Sequence, residues 1–180
     1  MKFRPQLAVP LAVSAALLTA CSGPGQELGY GEKATGDDID VTVLRVEAGS
    51  TEDLAVLEDA SEYAGRTPHY LHYRVTKTKD GSVKGPDFDL TGDGKNLTLL
   101  SIMPGFGTPV VSEDGDVSYS EAPKFDKCTD DNSYVEFNKA PAGESYESCS
   151  IYLTAEGDSA APSEVTWVEG RQREPLAVWK

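Results

Sequence analysis

Histidine and cysteine are scarce in this chain, and the motifs of the common enzyme classes are missing. Two histidines, His69 and His72, and three cysteines occur in 180 residues. No C-x-x-C pair and no His/Cys ligand spacing is present, which removes the usual zinc sites. There is no G-x-S-x-G elbow, H-E-x-x-H helix, phosphate-binding P-loop or G-x-G-x-x-G turn, so the serine-hydrolase, zinc-protease and nucleotide-binding classes lose their signatures. Positive charge is also short. Lys and Arg number 16 against 30 Asp and Glu, a formal net charge of −14. That balance excludes nucleic acid as a partner and opposes adsorption to anionic lipid. After residue 21 no apolar run is long enough to span a bilayer. No cofactor is expected.

What is present begins at the N-terminus. Lys2 and Arg4 make a short basic region, and Leu7 to Leu18 reads LAVPLAVSAALL. Twelve such residues span about 18 Å as a helix against about 30 Å of bilayer core, which suits a signal-peptide core and not a permanent span. Leu18-Thr19-Ala20-Cys21 then resembles the bacterial lipobox. The resemblance implies a lipoprotein signal peptide over 1–20, cleavage before Cys21 and a diacylglyceryl group on its sulfur. Each buried lipid methylene adds about 0.8 kcal/mol, so two or more chains hold a protein to a membrane surface stably. The expected location is the extracytoplasmic face of the cell membrane. Without Lys2 and Arg4 the formal charge becomes −16.

The odd cysteine count then closes. With Cys21 lipidated, Cys128 and Cys149 remain as an even pair in an oxidising compartment, where a disulfide is expected. Its loop of about 20 residues would contribute about 3 kcal/mol in the chain-entropy picture.

Residues 21–37, rich in Gly and polar side chains, read as a flexible tether, and 38–180 as one domain. Within it, Gly, Pro, Asp and Asn punctuate short alternating runs. Ile39 to Glu47 sets Ile39, Val41 and Val43 against Asp40 and Thr42. Pro68 to Thr76 sets Leu71, Tyr73 and Val75 against Tyr70, His72 and Arg74. Asn96 to Ile102, Ser133 to Phe137, Glu164 to Val168 and Pro175 to Lys180 read as further strands. Tyr146 to Thr154 aligns Cys149, Ile151 and Leu153. Only Thr51 to Ala60 looks helical, one or two turns in a loop with Thr51 as its cap. Seven or more short strands at this spacing predict an all-β, antiparallel sandwich.

The stretches IDVTVLRV, TPHYLHYRVTKTKDGSV, DFDLTGDGKN, APAGESYESCSIYL and EVTWV together resemble a group of small exported lipoproteins of Gram-positive, especially actinobacterial, bacteria. The resemblance covers most of residues 39–168 and implies an immunoglobulin-like β-sandwich of unknown function, with no catalytic residues to carry over. Where that group has Asn and Gly after the second strand, this chain has Lys77-Thr78-Lys79-Asp80-Gly81.

Candidate chemistry is thin. Asp87, Asp89 and Asp93 offer oxygen ligands for Ca²⁺, but against an EF-hand loop position 12 is Thr98 and not a bidentate Glu. A strand end followed by a turn, with Gly92 and Gly94 at positive φ, fits those residues better. Asp37, Asp38 and Asp40 read as a charged strand entrance, and Asp130-Asp131 as a solvated loop. His69 and His72 fall on opposite faces of a strand and cannot share a metal. Trp167 reads as core and Trp179 as an edge anchor or partner-facing residue. Tyr70, His72 and Arg74 form a mixed strip that is either a protein contact or the wet side of a sheet.

The resulting expectation is a non-enzymatic, lipid-anchored binding protein whose partner is an envelope protein or polymer. The alternative is a ligand- or ion-binding accessory of a transport or sensing system. The cysteine arithmetic predicts that the soluble domain has an intact mass lower by two hydrogens than its reduced form. Ready alkylation of Cys128 and Cys149 without reductant would refute the bridge.

Overall fold

A computed structural model describes residues 25–57, 60–101, 109–112, 114, 116–119, 125–128 and 134–180. The alternating runs form two facing sheets. The first has the order β1 (Gln26–Leu28), β12 (Glu174–Trp179), β11 (Glu164–Glu169), β5 (Asp87–Gly92), β6 (Lys95–Asn96). The second has the order β2 (Lys33–Thr35), β3 (Ile39–Ala48), β4 (Pro68–Lys77), β10 (Ser145–Leu153), β7 (Thr98–Leu100). A separate hairpin joins β8 (Pro109–Val111) to β9 (Val117–Tyr119). Among the described residues all pairings are antiparallel except β1 with β12. The architecture is the expected immunoglobulin-like β-sandwich.

Period-2 patterning builds the core. Val41, Val43, Leu71, Val75, Leu90, Val165 and Ala177 are fully buried between the sheets. A bulge between Val43 and Arg45 resets the alternation of β3 and turns Arg45 and Glu47 outward. Phe88 lies edge-on to Tyr73, ring centroids 4.9 Å apart, and to Trp179 at 6.4 Å. Trp179 belongs to this core and is neither an edge anchor nor partner-facing. It has no exposed surface, and its indole Nε1 donates to the Glu32 carbonyl at 3.0 Å.

A second, smaller core covers the outer face of the second sheet. Leu54, Tyr70, Ile151 and Leu153 are its buried members, with Phe125, Cys128 and Cys149 packed against them. The helical expectation at Thr51 becomes two 3₁₀ turns, Thr51–Val56 and Ala60–Tyr63, and the cap is Ser50. Asp53 ties the turn down: its carboxylate accepts from the Ser50 N–H and from the Tyr70 hydroxyl, each at 2.9 Å. Gly49 is required here, since a Cβ would lie 2.6 Å from the Tyr70 ring. Tyr70 therefore leaves the strip expected to be wet, and only His72 and Arg74 of that strip reach solvent.

Two further segments differ from the sequence reading. Residues 21–37 were expected as tether, yet Gln26–Leu28 and Lys33–Thr35 are strands, one in each sheet. Their short polar runs are held by pairing with β12 and β3, which local composition does not encode. The described part of the SYVEF run, from Tyr134 to Phe137, lies in a helix, α1 (Tyr134–Lys139), in place of a strand. Phe137 of α1 packs on Tyr146 at a centroid distance of 4.2 Å.

The reason that helix holds is Lys77, which is 1% exposed. Its ammonium donates to the carbonyls of Gly81 and Ala140 at 2.6 Å and of Asn138 at 3.1 Å, and touches that of Phe137 at 3.5 Å. The cation thus caps the last carbonyls of α1 and the loop after β4 together. Among the described residues no carboxylate pairs with it. Asp80 accepting from the Ala142 N–H and Asn138 accepting from the Val83 N–H, both at 2.8 Å, complete the clasp. Replacing Lys77 by Met leaves these carbonyls buried without a donor. The Lys77→Met variant should unfold about 2–4 kcal/mol more easily in urea, while exposed Lys139→Met changes stability by less than about 0.5 kcal/mol.

Candidate functional site

The β5–β6 hairpin determines where the sandwich opens. Asp93 (φ 49°) and Gly94 (φ 72°) form its two-residue turn, with both central residues at positive φ as a type I′ turn requires. Gly92 is not one of the positive-φ residues. The ladder runs Gly92↔Lys95 and Thr91↔Asn96, and the Leu97 N–H donates to the Leu90 carbonyl at 2.8 Å. The chain then leaves β5 for the other sheet, where Thr98, Leu99 and Leu100 pair with Leu153, Tyr152 and Ile151. A cleft of about 240 Å³ lies at that divergence.

Its walls are amphipathic. Phe88, Leu97, Leu99 and Tyr152 supply apolar surface, and Ser150 a hydroxyl. Leu99 is 54% exposed. The Tyr152 hydroxyl donates to the Phe88 carbonyl at 3.0 Å across the gap between the sheets. Burial pushes this phenol's pKa well above the ordinary tyrosine range. At the rim Asp89 binds Arg173 through two contacts, 2.7 and 3.2 Å, and Lys84 binds Asp87 at 2.6 Å. The ion pairs raise the pKa values of both Arg173 and Lys84. Arg173 sits in the β11–β12 turn at φ 53°, a strained conformation for a non-glycine residue.

The candidate residues separate. Asp87 and Asp89 lie two residues apart on β5 at the rim of the cleft, each with a cationic partner, while Asp93 is at the hairpin turn. Among the described residues no group of three His, Cys, Asp or Glu side chains is placed to hold a metal. Asp38 pairs with Lys79, and Asp40 with Lys33 at 2.6 Å. Cys21 and Asp130-Asp131 lie outside the described residues. Cys128 and Cys149 are joined as a disulfide, with Cα atoms 5.2 Å apart. His69 is buried on the inner face of β4 and His72 half-buried on the outer face. Burial lowers both imidazole pKa values and so favours their neutral forms.

Sequence reasoning missed Tyr152, Arg173 and the pair Leu97 and Leu99. One signal was available: Leu99-Leu100 breaks strict alternation in NLTLLSI, as expected where a strand changes sheets.

The fold and the cleft define a β-sandwich with a partly open lateral edge. No protein-family model matches the sequence, and neither does any curated protein. Two solved structures are similar to this chain. A secreted protein of Mycobacterium tuberculosis, MPT63, superposes with a TM-score of 0.51 at 18% identity over 88% of this chain and 99% of its own. An uncharacterised β-sandwich protein of Clostridium difficile 630 gives 0.43 at 10% identity over 86% and 91%. The likeness to the mycobacterial protein is one of fold.

Tyr70 and Tyr152 allow a test of these contacts in solution. Burial, and for Tyr70 also the Asp53 carboxylate, raises their folded pKa values. The stability they contribute is fully present below the unfolded tyrosine value of about 10 and is lost as pH rises through the folded values. Alkaline unfolding followed by circular dichroism should shift to higher pH in a Tyr70→Phe, Tyr152→Phe double variant relative to its stability at pH 7.

Proposed function

We propose that the chain is a non-enzymatic, lipid-anchored binding protein of the extracytoplasmic cell surface, and that it engages its partner through the cleft beside β5. The observation that carries the anchor is Leu18-Thr19-Ala20-Cys21 behind a basic, apolar leader. The Cys128–Cys149 disulfide fits the same compartment. The fold shared with a protein described as secreted is consistent with it. Binding is favoured over catalysis because the acids of the rim hold cations and the histidines sit on opposite faces of one strand.

Lipidation at Cys21 would leave four residues before β1 begins at Gln26. Fully extended, that link reaches about 17 Å. The β1 edge of the sandwich is then held close to the bilayer. The cleft lies beyond β12 and β11, on the other lateral side. In that arrangement it faces away from the anchored edge, toward other envelope components. A partner protein or envelope polymer is favoured over an ion, because Asp87 and Asp89 already hold Lys84 and Arg173.

Changing Cys21 to Ser should move the protein from the membrane fraction to the soluble extracellular fraction. Retention of the Cys21→Ser variant on membranes would refute the anchor. In-cell crosslinking of the anchored protein should capture a recurrent envelope partner that is absent from the released variant.

A further inference from the structure

The register of the β5–β6 hairpin has a missing rung. Leu97 faces Leu90, so the next backbone-bonded pair would set Leu99 opposite Phe88. Leu99 instead pairs with Tyr152 on the other sheet. In an antiparallel ladder the N–H and C=O of one residue point to the same side and alternate along the strand. Leu90 points toward β6, so Phe88, two residues earlier, does too. Its carbonyl confirms this by accepting the Tyr152 hydroxyl at 3.0 Å. Among the described residues the Phe88 N–H has no acceptor. Pro86, with no N–H to offer, ends the edge on the other side.

We propose that this vacated rung is a docking site for a short extended segment of a partner protein, added as a strand beside β5. The segment is apolar at the residue entering the cleft and basic at the residues on either side of it. The inference rests on reading the chain as a binding protein and names the mode and the chemistry of its partner. Strand addition needs an edge whose backbone groups are free and whose flanks read alternate side chains. Phe88 supplies the backbone donor. Leu97, Leu99 and Tyr152 line the inward side, and Leu99 is left half out in solvent. Lys84 pairs with Asp87 and Arg173 with Asp89, and Glu169, next to the Val168 that faces Asp87 across the ladder, adds a third acid to these two cations. With the chain at −14 overall, that excess favours basic neighbours in the incoming segment. The hairpin cannot close the rung itself, because Leu99 would have to leave its pairing with Tyr152.

The test uses the full chain carrying Cys21→Ser, which removes only the anchor, and follows amide hydrogen exchange by NMR. The probes are three end-blocked pentapeptides: Lys-Val-Lys-Val-Lys, the same peptide N-methylated at both valines, and Glu-Val-Glu-Val-Glu. In the free protein the Phe88 amide should exchange fast while the Leu97 amide, bonded to the Leu90 carbonyl, is protected. Saturating Lys-Val-Lys-Val-Lys should slow Phe88 exchange by about tenfold or more. It should also shift Leu97, Leu99 and Tyr152. The N-methylated and acidic peptides should fail. Leu99→Arg, at an exposed position, should weaken binding by about tenfold or more with the unfolding midpoint unchanged. Protection of Phe88 in the free monomer, or protection that grows with protein concentration alone, overturns the proposal, since the rung is then filled from within or by a second copy. Equal binding of the N-methylated or acidic peptide, or an undiminished Leu99→Arg, overturns it too. If Leu99→Arg still captures the same partner in cells, the binding reading stands and the cleft is not its site.

Discussion

Two segments of this chain change sheets part-way along, and the shape of the molecule depends on that constraint. Residues 26–35 pair first with β12 and then with β3. Residues 95–100 pair first with β5 and then with β10. Each crossing joins the sheets at one lateral side and leaves both with short edges, which limits edge-to-edge aggregation. The two crossings end differently. At the first, the Trp179 indole fills the gap and bonds the Glu32 carbonyl, while the Gly31 N–H bonds the Val43 carbonyl at 2.8 Å. At the second, one phenol reaches across to one carbonyl, and space remains. The asymmetry is therefore one of side-chain volume: an indole seals one side, and leucines that turn away leave the other open.

Charge placement follows a related logic. The exposed acids meet exposed cations in pairs that contribute little individually. Lys77 is different, because a buried ammonium must replace its hydration shell. It does so with main-chain carbonyls at the end of α1, where the peptide dipoles already favour a cation. A six-residue helix has no stability of its own in water. Packing of Phe137 on Tyr146 and capping by Lys77 supply what its length does not.

The long strands were legible because each is half-buried, so alternation at 39–48, 68–77, 145–153 and 164–169 records which face meets the core. The short ones were not. Gln26–Leu28 and Lys33–Thr35 contain little apolar surface and are strands only because longer neighbours pair with them. SYVEF reads as β by composition, and the deciding contacts, made by Lys77, span 60 or more positions in sequence. Asp87 and Asp89 were flagged as ligands, yet their cations come from Lys84 nearby and from Arg173 in a distant turn. The cleft was illegible for the same reason. It is made by where residues 95–100 go after their turn, and no local pattern carries a destination.

These features meet on one strand. The outer face of β10 carries Cys149, Ile151 and Leu153 into the small second core, where the disulfide and Phe125 press on it. Its inner face carries Ser150 and Tyr152 into the cleft. Tyr152 also pairs along the backbone with His69 on one side and Leu99 on the other. The phenol that caps Phe88 thus stands on a segment fixed from both faces and both edges. Such fixing lowers the entropy lost when a ligand orders its site, because the walls are ordered before it arrives. The cleft walls that β10 supplies are the rigid ones. Leu99, on a three-residue edge strand of its sheet, is the exposed member, and adaptation to an incoming side chain falls to it.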